Sequence, residues 1–243
     1  MNSGSLTLSG SEPLPLKVVL CVPTLTRPYQ QTLDSIAASV AMLDEAKIDH
    51  YLVTEVGCPY ISAARSTMLR KALDAKADVI IFIDHDVSWK PKDLLTLIQT
   101  EGDVVAGLYR FKKEEEHYMG VIQDDANALP IIRADGCIEA TRVPAGFLKI
   151  TKEAVDKFMS AYPDLMYGPK YAPFVDLFHH GAHKGAWWGE DYAFSRNWID
   201  CGGQIWVVPN LDLSHHSSNI EFKGNFHNFL RRQVGGDLYQ EAT

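Results

Sequence analysis

Asp84 and Asp86 stand two residues apart at the end of the apolar run Val79-Ile-Ile-Phe-Ile83, and their type and spacing suit chemistry more clearly than any other residues in the chain. Five apolar residues in succession read as a strand buried on both faces, typical of a parallel sheet, whose ligands bind beyond the carboxyl ends of the strands. Two carboxylates delivered there suit an oxygen-seeking cation, Mg2+ or Mn2+, better than zinc. Asp-x-Asp is also a common pattern, and Asp86 could simply cap a following helix. A second acidic pair, Glu190-Asp191, opens a late helix just after Trp187-Trp188. Either carboxylate could cap free backbone amides, or one could be a general base that takes the proton of an attacking hydroxyl. His215 and His216 follow the last apolar run, and one imidazole there could complete a metal shell.

Arg65 falls in the first turns of a predicted helix whose start should lie at the same sheet edge, where a planar cation could meet phosphate oxygens or remain a surface residue. His179 and His183 have the i, i+4 spacing of a helical zinc pair, but Gly181 and Gly185 weaken a helix there, so a flexible loop is expected. Trp187 and Trp188 could stack on apolar faces of sugar rings or be packed. No Gly-x-Gly-x-x-Gly follows the first apolar run, and no Gly-x4-Gly-Lys-Ser/Thr occurs, so the usual phosphate cradles are missing.

Strands are expected at 17–25, 50–56, 78–83, 102–110, 143–150 and 204–209, the last two with Gly146 at a close approach and a Gly202-Gly203 stop just before. Helices are expected at 30–46, 61–75, 91–100, 152–162 and 190–201, with Leu33, Ile36, Ala37, Val40 and Leu43 as the inner face of the first and Ser62 as cap of the second. Residues 112–136 read as a mobile excursion with an edge hairpin, and 163–188 as a loop over a site. The strand, helix, strand alternation specifies an α/β fold.

A chain of 243 residues with 46% hydrophobic content fits one such domain. The net charge of −8, without a basic stripe, argues against nucleic acid as the main partner. Cys21, Cys58, Cys137 and Cys201 lack any Cys-x-x-Cys spacing and read as reduced thiols of a cytoplasmic protein. Residues 1–16 lack the features of a secretory signal and read as a disordered tail. No apolar stretch approaches the roughly 18 residues needed to span a bilayer, which leaves only peripheral membrane contact open.

Three elements in order, Phe82-Ile-Asp-His-Asp86 after an apolar strand, Gly189-Glu-Asp-Tyr-Ala-Phe194 opening a late helix and His215 after the final strand, resemble the GT-A glycosyltransferases. With Ile61-Ser-Ala-Ala-Arg65 and Gly203-Gln-Ile-Trp-Val-Val-Pro they are similar to family-2-type enzymes over about residues 17–216. The resemblance implies a Rossmann-like, mostly parallel central sheet flanked by helices. It also implies transfer of a sugar from a UDP- or GDP-sugar to a hydroxyl of a glycan or other acceptor. Asp84 would lie near ribose and metal, Asp86 and His215 would bind Mn2+ or Mg2+, and Asp191, beside Glu190, would be the base of an inverting displacement. Pro23, Thr24 and Glu55 match positions that commonly face the nucleotide. Residues 17–111 would form the nucleotide-binding half and 112–216 the acceptor half; the resemblance leaves 217–243 unexplained, and with Lys223, Phe222, Phe226 and Phe229 that tail reads as a lid or a packed terminal helix. Three other readings stay open: a non-catalytic nucleotide-sugar or glycan-binding module, a sugar nucleotidyltransferase, for which the glycine-free loop Pro23-Thr-Leu-Thr-Arg-Pro28 is unsuited, and a zinc hydrolase using residues 179–183.

Overall fold

A computed structural model describes residues 16–233, so the expected tail at 1–16 lies, except for Leu16, outside the described residues, as does 234–243. In chain order the first half contains β1 (Lys17–Thr24), α1 (Gln30–Glu45), β2 (Asp49–Val56), α2 (Ile61–Asp74), β3 (Val79–Ile83), β4 (Val87–Trp89), α3 (Pro91–Gln99) and β5 (Val104–Ala106). There follow β6 (Val121–Ile122), β7 (Ile138–Arg142), β8 (Phe147–Thr151), α4 (Lys152–Ala161), β9 (Met166–Tyr167), β10 (Phe174–Val175), β11 (Gly181–His183) and β12 (Ala186–Trp188). The chain continues through α5 (Glu190–Asp200), β13 (Ile205–Val207), β14 (Asp212–Ser217), β15 (Ile220–Asn225) and α6 (Phe226–Gln233).

The main sheet has the order β2-β1-β3-β8-β5-β13-β7-β6, in which only β8 and β7 run against the others. Side chains alternate along β1: Val18, Leu20 and Val22 pack with Ile36 of α1 and Leu94 of α3, whereas Val19 and Cys21 pack with Met68 of α2, Phe158 of α4 and Trp198 of α5. Helices therefore cover both faces, and the acidic strand β3 lies in the middle with all five residues buried. Pro23 is accommodated because the ladder to β3 ends at Cys21↔Phe82 and Pro23 pairs with β2 alone. The reversed β8 places its first residue opposite the last of β3, Phe147↔Ile83, which brings Gly146 to the ligand edge.

The sheet agrees with the sequence in type but differs in several particulars. The strand expected at 102–110 is only β5, and that expected from 143 starts at Phe147, because Pro144 has no N–H to give a ladder. Strand β7 and the hairpin β14–β15, which adds β4 to make a second, three-stranded sheet, were not foreseen. Residues 163–188 are a loop carrying two small hairpins, β9–β10 and β11–β12.

Ser62 does not cap α2; it lies inside the first turn, after Tyr60 at the cap position. No helix follows Asp86 for it to cap, since β4 intervenes before Pro91 opens α3.

The face of α1 is the largest departure from expectation. Leu33 and Val40 are exposed, and the buried face is Thr32, Ser35, Ile36, Ser39 and Leu43. Three hydroxyls on that face fasten α1 to the segment after β3. Thr32 donates to the His85 carbonyl at 2.9 Å and Ser35 to the Trp89 carbonyl at 3.0 Å, while Ser39 accepts from the Trp89 indole at 3.1 Å. The first two satisfy backbone carbonyls of the turn after β3 and of the edge strand β4, which ladders with β14 on its other side.

Candidate active site

Asp84 begins where β3 ends. Its N–H donates to the Gly146 carbonyl at 3.0 Å, and its carboxylate accepts from two side chains, Arg65 at 2.8 Å and the Tyr109 hydroxyl at 2.9 Å. A Cβ on Gly146 would collide with both the Tyr109 hydroxyl and the Asp84 carboxylate, so the approach requires glycine. Arg65, 2% exposed, spans from Asp84 to Glu190, which it also meets at 2.8 Å, and lies over the Phe178 ring at 5.0 Å. Burial disfavours its charge, but the Asp84 and Glu190 carboxylates outweigh that and raise its pKa. The guanidinium expected to meet phosphate is thus committed to two carboxylates.

Asp86 points to the other side. Its Oδ1 lies 3.6 Å from His215 Nε2, and its Oδ2 accepts from Lys112. Burial opposes ionisation of Asp86, yet the contacts with His215 and Lys112 prevail and hold its carboxyl well below the usual carboxylate range. The two adjacent histidines now separate by role. His216 bonds Ser88 at 2.7 Å and its N–H donates to the Asp86 carbonyl at 2.8 Å, so it tethers β14 to the acidic turn. His215 Nδ1 faces the Arg110 carbonyl at 2.8 Å; a carbonyl can only accept, so Nδ1 donates there and Nε2 is the ring nitrogen turned to Asp86.

Among the described residues no group of three or more His, Cys, Asp or Glu side chains converges to hold a metal. The expected set is therefore brought together in part: Asp86 and His215 meet, whereas Asp84 is turned to Arg65 and Tyr109. The residues still fit a divalent cation that draws most of its shell from water or phosphate. One carboxylate and one imidazole nitrogen face each other, and the imidazole is oriented from behind by a backbone carbonyl, as metal-binding histidines usually are. The helical zinc pair is not formed, since His183 lies in the strand β11 and His179 meets Asp176 at 2.7 Å.

Helix α5 opens at Gly189, so Glu190 and Asp191 occupy its first turn rather than its cap. Glu190 faces Arg65, and Asp191 accepts from the N–H of Tyr192 at 2.7 Å. Burial first, and then the neighbouring Glu190 charge, push the Asp191 carboxyl up to about 6 against the pull of Arg65. Beside them Trp188 is held between Arg142 and Arg196, at 4.8 and 4.9 Å, while Trp187 is 73% exposed.

Pro23 and Thr24 end β1, level with Glu55 and Val56 of β2; Thr24 Oγ1 is buried without a hydrogen-bond partner, and Glu55 pairs with Lys71 at 2.8 Å. Two residues of the site were not singled out from the sequence. Tyr109, 1% exposed, joins its halves by donating to Asp84 and packing edge-on to His215 at 4.9 Å. Lys112 is the cation on Asp86. Neither stands at an informative spacing from the acidic motifs.

No protein-family model and no curated protein matches the sequence. Among solved structures, A197 from STIV superposes with a TM-score of 0.50 at 17% identity, over 84% of this chain and 87% of that one. GalNAc-T7 with UDP, GalNAc and Mn2+ gives 0.46 at 15% identity over 84% of this chain and 44% of that one. S. aureus TarS 1–349 in complex with UDP-GlcNAc gives 0.45 at 13% identity over 79% and 56%. This chain spans about half the length of the latter two. Identities this low speak for the fold alone, a mostly parallel central sheet flanked by helices that this chain shares with A197.

Proposed function

We propose that the chain is a metal-assisted glycosyltransferase that moves a sugar from a UDP- or GDP-sugar to a hydroxyl of a glycan or other acceptor, with inversion at the anomeric carbon. The observation that carries this reading is the common edge. Arg65 and Glu190, 125 positions apart, are bonded there, and the same guanidinium holds the acidic turn that carries Asp86 to His215. In this reading residues 17–216 are one catalytic unit, 17–111 serving the donor and 112–216 the acceptor.

Asp191 is the base. A carboxyl pushed up to about 6 is ionised at neutral pH yet basic enough to accept the proton of an attacking hydroxyl. Asp86 and His215 hold Mn2+ or Mg2+, which when bound supplies positive charge to the departing diphosphate. Thr24 Oγ1, buried and unpaired, offers a hydrogen bond to the nucleotide beside Pro23 and Glu55. Asp84, fixed by Arg65 and Tyr109, sets the orientation of the turn on the ribose side. Trp187 offers an exposed ring to the apolar face of an acceptor sugar.

The test is a panel of UDP- and GDP-sugars with and without Mn2+, read by thermal shift and by donor consumption. At least one donor should stabilise the protein and be consumed with Mn2+ present. A protein that neither binds nor consumes any of them is not this enzyme.

A further inference from the structure

We propose that Lys112 is a tethered stand-in for the divalent cation, competing with the metal for Asp86 and, once displaced, carrying its ammonium to the donor diphosphate. The second half rests on the transferase reading; the first needs only the metal. The Asp86 side chain is 10% exposed, with His215 Nε2 at one oxygen and the Lys112 ammonium at the other. His215 commits Nδ1 to the Arg110 carbonyl and turns Nε2 to Asp86, whose buried carboxylate needs positive charge beside it. Lys112 provides it.

The lysine reaches that position from a loop with a fixed base. The Phe111 N–H donates to the His117 carbonyl at 2.9 Å, and the Arg110 guanidinium donates to the Lys113 and Glu114 carbonyls at 3.2 and 2.9 Å. Anchored on both sides, the loop returns the ammonium to the same carboxylate with little further loss of chain entropy. The partners differ in freedom to leave. The Lys112 side chain is 34% exposed and can swing into water, whereas Asp86 cannot be stripped of a counter-cation without leaving a buried charge unpaired. Exchange of one cation for another meets both conditions, and the released ammonium stays at the edge where a diphosphate would lie.

The experiment measures Mn2+ binding to the full chain by calorimetry and by the loss of the free-ion electron paramagnetic resonance signal, first without nucleotide. Lys112→Met keeps the stem and should tighten Mn2+ binding about tenfold, as expected when a competing ion pair at a poorly solvated carboxylate is removed. Lys112→Arg keeps the charge and should bind Mn2+ as the wild type does, and Asp86→Asn should abolish binding. Unchanged, weaker or absent Mn2+ binding in Lys112→Met overturns the competition. UDP is then titrated at saturating Mn2+, where Lys112→Met should bind about tenfold more weakly through loss of a phosphate contact; equal affinity overturns the diphosphate role. If UDP binds to no variant, wild type included, the transferase reading and the diphosphate role fall together, while competition for Asp86 is decided by the metal titration alone.

Discussion

Arg65→Met should destabilise the protein by an amount that can be worked from its contacts. The substitution keeps the stem over Phe178 and removes one guanidinium that bonds two carboxylates at 2.8 Å each. Removing one partner of a fully buried pair costs about 3–5 kcal/mol, since the charge left behind is unpaired. Here the guanidinium is 3% exposed but the Asp84 and Glu190 side chains are 26% and 25% exposed, so water recovers part of that cost. Tyr109 also still donates to Asp84. With those discounts the expected loss is about 3 kcal/mol, measured as the difference in unfolding free energy by urea denaturation at neutral pH. The cause is separable from packing. In Arg65→Met/Glu190→Gln one of the stranded carboxylates is neutral, and about 1 kcal/mol should return. A loss below about 1 kcal/mol for the single variant, or no recovery in the double, would refute the claim that this cation neutralises the acidic edge.

Asp191→Asn should abolish transfer while donor binding persists, and equal activity would sink the base assignment. Wild-type kcat/KM should fall as pH drops through about 6, where Asp191 takes up its proton. The same group has a stability signature: its folded-state pKa lies above the ordinary 3.8, so stability is lost as pH rises from about 4 through about 6. Asp191→Asn should therefore unfold at higher urea than wild type at pH 7.5, by on the order of 2 kcal/mol, and close to wild type at pH 4.5. Tyr109→Phe removes one donor from Asp84 and should cost about 1–2 kcal/mol in the same assay, with the circular dichroism spectrum unchanged. Gly146→Ala drives a methyl into the Tyr109–Asp84 contact and should cost about 1–3 kcal/mol; a neutral result would mean that the turn is looser than its contacts indicate.

What could be read beforehand follows the range of the interactions. The strands β1 and β3 and the carboxylates after β3 are legible because an apolar run and its terminal residues are adjacent in sequence. Arg65 could be assigned to the ligand edge from its place near a helix start, but not to its partners, because Glu190 is 125 positions away. Lys112 lies in an irregular segment whose path is set by the Arg110 grip on the Lys113 and Glu114 carbonyls, and no periodicity predicts such a grip. The inner face of α1 was missed for another reason. Helical periodicity predicts a hydrophobic stripe, whereas the segment from His85 to Trp89 needs hydroxyls from Thr32, Ser35 and Ser39 to satisfy its polar groups. Strand β7 did carry a signal, with Ile138 and Ala140 buried in alternation with Glu139 and Thr141, but three alternations beside a long loop are hard to distinguish from chance.

Charge balance gives the four carboxylates of the edge different roles. Asp84 and Glu190 share Arg65, a guanidinium too buried and too well paired to leave. Asp86 is neutralised by Lys112, a cation on a partly exposed stem that can leave when another takes its place. Asp191 makes no ion pair among the described residues, and it is the acid of the four whose carboxyl burial pushes up to about 6. One pair is thus structural, and on the proposed reading one carboxylate is open to exchange of its cation and one is left to accept a proton. Exchanging Arg65 and Lys112 in role would remove that distinction: a mobile cation between Asp84 and Glu190 would let the helix that carries Asp191 drift from the acidic turn, and a buried guanidinium on Asp86 would shut the metal out. On the proposed reading, a rigid cation at one position and a flexible one at the other would let a single sheet edge bind a metal and keep a base at neutral pH.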